Sequence, residues 1–203
     1  MATMIKTPYH CTFIHIPKTG GNSITHWLQQ HFPTQSTKRN QHATLSETKN
    51  ILGNTGWTFC TVRNPWDYAV SWYTFEIDVA KVRIEMVNQN PDLSKIPKKK
   101  YDVKLQQSNI ERLEKIGFEG WLHETKRYSQ SYWANDCDHI IKLENINNDF
   151  KKVQNKLNCF EPLPFLNKTR NKKPYRDYYT SDLLIKLVND LWPEDVKNFN
   201  YEF

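Results

Sequence analysis

The stretch FIHIPKTGGNSI, residues 13–24, decides how the rest of the chain is read. It belongs to a longer apolar run, CTFIHI (residues 11–16), whose β-branched and aromatic side chains and short length predict a buried strand. Pro17, Lys18, Thr19, Gly20 and Gly21 break the run at once and predict a tight turn. Beyond it, Ile24, Trp27, Leu28 and Phe32 recur at helical spacing, with Asn22 or Ser23 available as N-cap. Strand, glycine turn and helix make one unit.

The unit recurs in WTFCTVRNPWDYAVSWYTFEI, with residues 57–63 as strand, Asn64 as N-cap and Pro65 at the first helical position, where a missing N–H costs nothing. DHIIKLE (residues 138–144) predicts a third strand, followed by an amphipathic helix through NNDFKKVQNKL and a stop at EPLP. A last helix from about Ser181 carries Leu184, Leu187, Val188 and Leu191 on one face and ends before Pro193. Repeated strand-to-helix units predict an α/β fold with a central parallel β-sheet flanked by helices. The 203 residues predict a single domain over 1–203. Within it, residues 78–120, charged and without clean periodicity before NIERLEKI, read as a variable surface excursion.

Seven Trp, ten Tyr and ten Phe predict an aromatic-rich core and exclude disorder along the whole chain. A net charge of +6 favours an anionic partner, whether nucleic acid, an anionic membrane surface or a phosphorylated small molecule, without choosing among them. No window approaches the roughly 18 apolar residues of a membrane span, and MATMIKTPYH lacks a signal-peptide apolar core, so a cytoplasmic protein with no membrane partner is expected. Cys11, Cys60, Cys137 and Cys159 form no C-x-x-C pair, which argues against a zinc ribbon or dithiol motif and predicts free thiols.

A glycine turn at a helix N-terminus presents unpaired backbone N–H groups together with the positive end of the helix dipole, and so suits a phosphate or sulfate. Gly20 and Gly21 allow close backbone approach, Lys18 adds a charge, and Thr19, Asn22 and Ser23 offer short hydrogen-bonding side chains. The plainer reading is a structural strand-to-helix turn. A Walker A motif is excluded, because there the lysine follows the glycines and here it precedes them.

On these residues, HIPKTGGNSI resembles the 5′-phosphosulfate-binding loop of sulfotransferases that use PAPS (3′-phosphoadenosine 5′-phosphosulfate), especially the carbohydrate O-sulfotransferase branch in a compact bacterial or viral-type form. VRNPWDYAVSWY resembles that family's 3′-phosphate element, which implies that Arg63 and Ser71 grip the 3′-phosphate. Seven positions beyond Asn64, Ser71 returns to nearly the same helix face. SQSYWANDCDHIIKLENINNDF and the C-terminal block from LPFLNKTRNKKPYRDYY onward are similar to later family segments. They imply that Gln130 and Ser131 line the acceptor or cofactor cleft, and that Lys168, Thr169 and Arg170 belong to a loop closing over the 3′-phosphate and adenine.

The resemblance implies a P-loop-like sulfotransferase fold and transfer of a sulfuryl group from PAPS to a hydroxyl acceptor, with a carbohydrate expected, releasing PAP. Sulfuryl transfer to an alcohol needs a base, positive charge at the leaving phosphate oxygen and in-line positioning. Lys18 suits the second task. In NQHATLSETKNIL, His42 stands in the context of the family's catalytic histidine and is the expected base, with Glu47 in reserve. His15, inside the first strand, reads as structural. No metal is required, because the leaving group is a good one once its charge is neutralised. Two alternatives stand against this reading: a P-loop-type nucleotide-dependent kinase, opposed by the absence of an evident Walker B aspartate, and a non-catalytic basic module for nucleic acid.

Overall fold

The structure, a computed structural model, describes residues 1–6, 8–37, 40–166 and 173–203. In chain order its elements are β1 (Thr3–Ile5), β2 (Cys11–Ile14), α1 (Gly21–His31), β3 (Thr34–Ser36), α2 (Leu45–Leu52), β4 (Trp57–Val62), α3 (Pro65–Gln89), α4 (Val103–Glu124), α5 (Ser131–Ala134), β5 (His139–Lys142), α6 (Ile146–Asp149), α7 (Lys151–Leu157), α8 (Asp182–Leu191) and α9 (Pro193–Asn198), with short 3-10 turns between some of them. The fold is α/β.

The strands form one five-stranded sheet in the order β3-β1-β2-β4-β5. β2, β4 and β5 are the strands expected from sequence, and they pair in parallel, Ile14 opposite Cys60 and Val62 opposite Lys142. The sheet as a whole is mixed, because β1 runs antiparallel to both β2 and β3. These two added strands have three residues each, too few to show any period in the sequence.

The chain divides into two compact units. The first, Met1–Pro65, Tyr128–Lys173 and Leu191–Phe203, carries the sheet. Its core joins Phe13 and Phe59 from the strands with Ile24, Trp27 and Leu28 of α1 and Phe150, Val153 and Leu157 around α7. Trp27 meets Phe150 edge to face at 5.0 Å, an arrangement that suits the ring quadrupoles. The α1 face predicted from its apolar spacing is the face that is buried. Its start differs: the N-cap is Gly20, in the left-handed conformation with no side-chain cap, so Asn22 and Ser23 lie inside the first turn.

The second unit, Trp66–Arg127 and Pro174–Asp190, is helical. Residues 78–120, read from sequence as a variable surface excursion, are largely the end of α3 and most of α4. On α3, Ala80 and Val87 are buried while Val82 and Met86 are exposed, so apolar residues do not keep to one face and the helical period is blurred. α4 bends at Gly117, whose φ of 65° no other residue type adopts easily. Tyr73, Phe118, Trp121 and Tyr178 pack ring on ring inside this unit. Among the described residues, no helix is long and apolar enough to cross a membrane.

Candidate functional site

Because β2, β4 and β5 are parallel neighbours, the segments leaving them emerge at one edge of the sheet, the edge where open α/β sheets hold their ligands. The turn after β2 contains two left-handed residues, Lys18 at φ 64° and Gly20 at φ 78°. Glycine accepts that conformation freely, whereas lysine does so at a cost of about 1–2 kcal/mol, a strain the surrounding contacts must offset.

Those contacts are specific. The Thr19 hydroxyl donates to the Ile16 carbonyl at 2.9 Å and lies 2.9 Å from the Thr61 hydroxyl, tying the turn to β4. Thr19 is fully buried, so its side chain belongs to the fold and its contribution to an anion would come from the main chain. A Cβ on Gly20 would meet Leu143 at 2.7 Å, and one on Gly21 would meet the His15 ring at 2.2 Å. Asn22 is exposed at the start of α1, and the nearly buried Ser23 hydroxyl accepts from the Leu166 N–H at 3.1 Å. Lys168, Thr169 and Arg170 lie outside the described residues.

Arg63 follows β4 and is half-buried. Its guanidinium Nη1 donates to the Lys18 carbonyl at 3.1 Å, which joins the glycine turn to the end of β4 within one unit. Its backbone is clamped by the Gln130 amide, since the Arg63 N–H donates to Gln130 Oε1 and its carbonyl accepts from Gln130 Nε2, both at 2.7 Å. Gln130 is held in turn by Asp195, whose carboxylate accepts from the Gln130 N–H and the Ser131 N–H at 2.7 Å each and from Gln130 Nε2 at 3.3 Å. Asp195 has no solvent exposure, and burial raises its carboxyl pKa against the opposing pull of those N–H groups. Gln130 and Ser131, expected to line a cleft, are thus positioning residues: one grips the Arg63 backbone and both are anchored on Asp195.

At the same edge the Glu144 carboxylate accepts from the Asn64 N–H at 2.6 Å and from the Tyr201 hydroxyl at 2.9 Å, fixing the entry to α3. Ser71 lies on α3, 8% exposed, and belongs to the second unit, whereas Arg63 belongs to the first.

His42 precedes α2. Its Nδ1 lies 2.8 Å from the His15 carbonyl oxygen, and since a carbonyl can only accept, Nδ1 carries the proton and Nε2 keeps its lone pair. Burial lowers the His42 pKa, partly opposed by that carbonyl and assisted by the Met1 amino group. The His15 ring meets His42 edge to face at 5.0 Å and is driven to a pKa of about 3 by burial and by positive neighbours. Trp133 donates its indole N–H to the His42 carbonyl at 2.8 Å. Glu47 instead closes a capping box with Thr44 at the start of α2, its carboxylate accepting from the Thr44 N–H at 2.7 Å.

The edge therefore combines a glycine turn with its lysine, an arginine on the adjoining strand end and a neutral imidazole with a free Nε2. The sequence marks His15 as structural without its contacts to Gly21 and His42, and places Gln130, Ser131 and Trp133 in one segment without the bonds they make; Asp195 carries no sequence signal. A separate cavity of about 310 Å³ in the second unit is lined by Glu76, Arg112, Trp121, Glu124 and Arg127 among others, none of them predicted to bind the donor. Comparison with family models, with curated proteins and with solved structures finds no match to this chain.

Proposed function

We propose that this chain is a PAPS-dependent sulfotransferase with a P-loop-like sulfotransferase fold, acting on a hydroxyl of a carbohydrate. The observation that carries the reading is the Arg63 guanidinium on the Lys18 carbonyl, which puts a cationic group for a 3′-phosphate beside a turn suited to a 5′-phosphosulfate. PAPS would supply the sulfuryl group and leave as PAP. The main chain of Thr19 to Ser23 receives the 5′-phosphosulfate, and Lys18 offsets the charge that grows on the leaving oxygen. Arg63 holds the 3′-phosphate, with its backbone secured by Gln130. His42 Nε2 takes the acceptor hydroxyl proton as the new O–S bond forms and the S–O bond to phosphate breaks.

Calorimetric titration with PAP and with ATP plus Mg²⁺ tests the donor. PAP should bind, and Arg63→Ala should weaken it by about 10- to 100-fold, the loss expected for charge-assisted hydrogen bonds. Tight ATP binding without PAP binding would instead support the kinase, and strong salt-dependent RNA or DNA affinity that tolerates Lys18→Ala would support the basic module.

A further inference from the structure

Tyr128 and Tyr132 are 63% and 54% exposed although their rings stack on each other, centroids 4.7 Å apart and 17° from parallel. Both stand nearly perpendicular to the Trp133 ring, at 6.1 and 5.0 Å. Trp133 is buried, and its indole N–H holds the His42 carbonyl at 2.8 Å. The stacked tyrosines and the candidate base thus share one indole. Its position is in turn set by the Gln130–Ser131 segment anchored on Asp195, since the Trp133 main-chain N–H donates to the Gln130 carbonyl at 3.0 Å.

The geometry points to this tyrosine pair as the acceptor subsite, a shelf on which a pyranose ring of a glycan lies with its C–H face against a phenol ring. The inference rests on the sulfotransferase reading. A flat aromatic face attracts the slightly positive axial C–H groups of a sugar, leaves the ring hydroxyls projecting sideways, and offers phenolic oxygens at its rim. A base needs such a hydroxyl delivered within hydrogen-bond reach, and a shelf packed on the indole that holds the base's own carbonyl is a candidate to deliver it. The openness of the shelf selects the occupant further. A small phenol would gain most from an enclosed apolar slot, whereas two half-exposed rings suit a chain that continues past the reacting sugar.

The test separates shelf from donor site. Immobilised hexasaccharides of unsulfated chondroitin, heparosan and cellulose type are probed for binding to the full chain without donor, and PAP binding is measured in parallel. The wild type should retain at least one of these hexamers. Tyr132→Ala and Tyr128→Ala should each weaken it about tenfold, Tyr132→Phe should stay within about twofold, and PAP affinity should be unchanged in all three. Equal binding of the hexamers by the Tyr128→Ala/Tyr132→Ala double variant overturns the shelf, as does retention of none of them. Preference of the shelf for a single-stranded RNA or for 4-nitrophenol also overturns it. Loss of PAP binding with tyrosine-dependent glycan binding intact would overturn the sulfotransferase reading and leave the shelf standing.

Discussion

A single carbonyl gives His42 its chemistry. The His15 oxygen at Nδ1 dictates which ring nitrogen is protonated, and burial lowers the ring's pKa below the ordinary histidine value. His42→Ala should lower turnover of labelled PAPS by about 10²- to 10⁴-fold, the usual worth of a general base, while PAP affinity stays intact. In the unaltered protein the acidic limb of kcat should fall below the ordinary histidine value of about 6.5, because the lone pair at Nε2 survives until the pH drops through the lowered pKa. Near-normal turnover in the variant would move the base elsewhere. Glu47 is poorly placed to inherit the role, since its carboxylate is engaged at the Thr44 cap. The histidine was legible as a candidate because it stands between two recognisable elements. Its tautomer was not, because the oxygen that sets it belongs to a residue 27 positions away.

Among the elements, the segment leaving β4 is held by a long-range side-chain clamp, whereas the turn after β2 also uses its own Thr19 hydroxyl. Gln130 completes the hydrogen bonding of Arg63 just past β4, as a neighbouring strand would, and Asp195 at α9 fixes Gln130. Asp195→Asn turns one accepting oxygen into a donor facing N–H groups and should cost about 1.5–3 kcal/mol in urea denaturation, with a parallel loss of PAP affinity as Arg63 loosens. Full stability with full PAP affinity would show the clamp to be dispensable. Strands β2, β4 and β5 were readable from their β-branched runs, and the Asn64–Pro65 helix start from its capping chemistry. β1 and β3 were not, for lack of length, and α3 was cut short because its apolar residues do not keep to one face.

Across the molecule, acid should destabilise the fold through His15. Its pKa is about 3 in the folded protein against about 6.5 when unfolded, so between those values the unfolded chain binds more protons. Stability is therefore fully present above 6.5 and is lost as pH falls through the window, by at most about 1.4 kcal/mol per pH unit from this group. Asp195 acts in the opposite sense, since its raised pKa means that acidification relieves a buried charge. Urea midpoints taken from about pH 7 to about pH 4.5 should fall in the wild type and flatten in His15→Gln, whatever the variant's starting stability. An unchanged slope would place the titration on other groups.

Properties that depend on neighbours within a turn or two could be read from the chain alone: the glycine turn at residues 17–21 with its lysine ahead of the glycines, the helix starting at Pro65, and the strand at Trp57–Val62. Folding was needed to pair those strands, to turn the Thr19 hydroxyl inward, to hold Arg63 through a glutamine 67 positions on, and to set the His42 proton from behind β2. The physical reason is reach. Backbone propensity and capping act over a few residues, whereas a tautomer, a buried carboxylate or a stacked ring pair is defined by groups that only packing brings within hydrogen-bond or van der Waals distance.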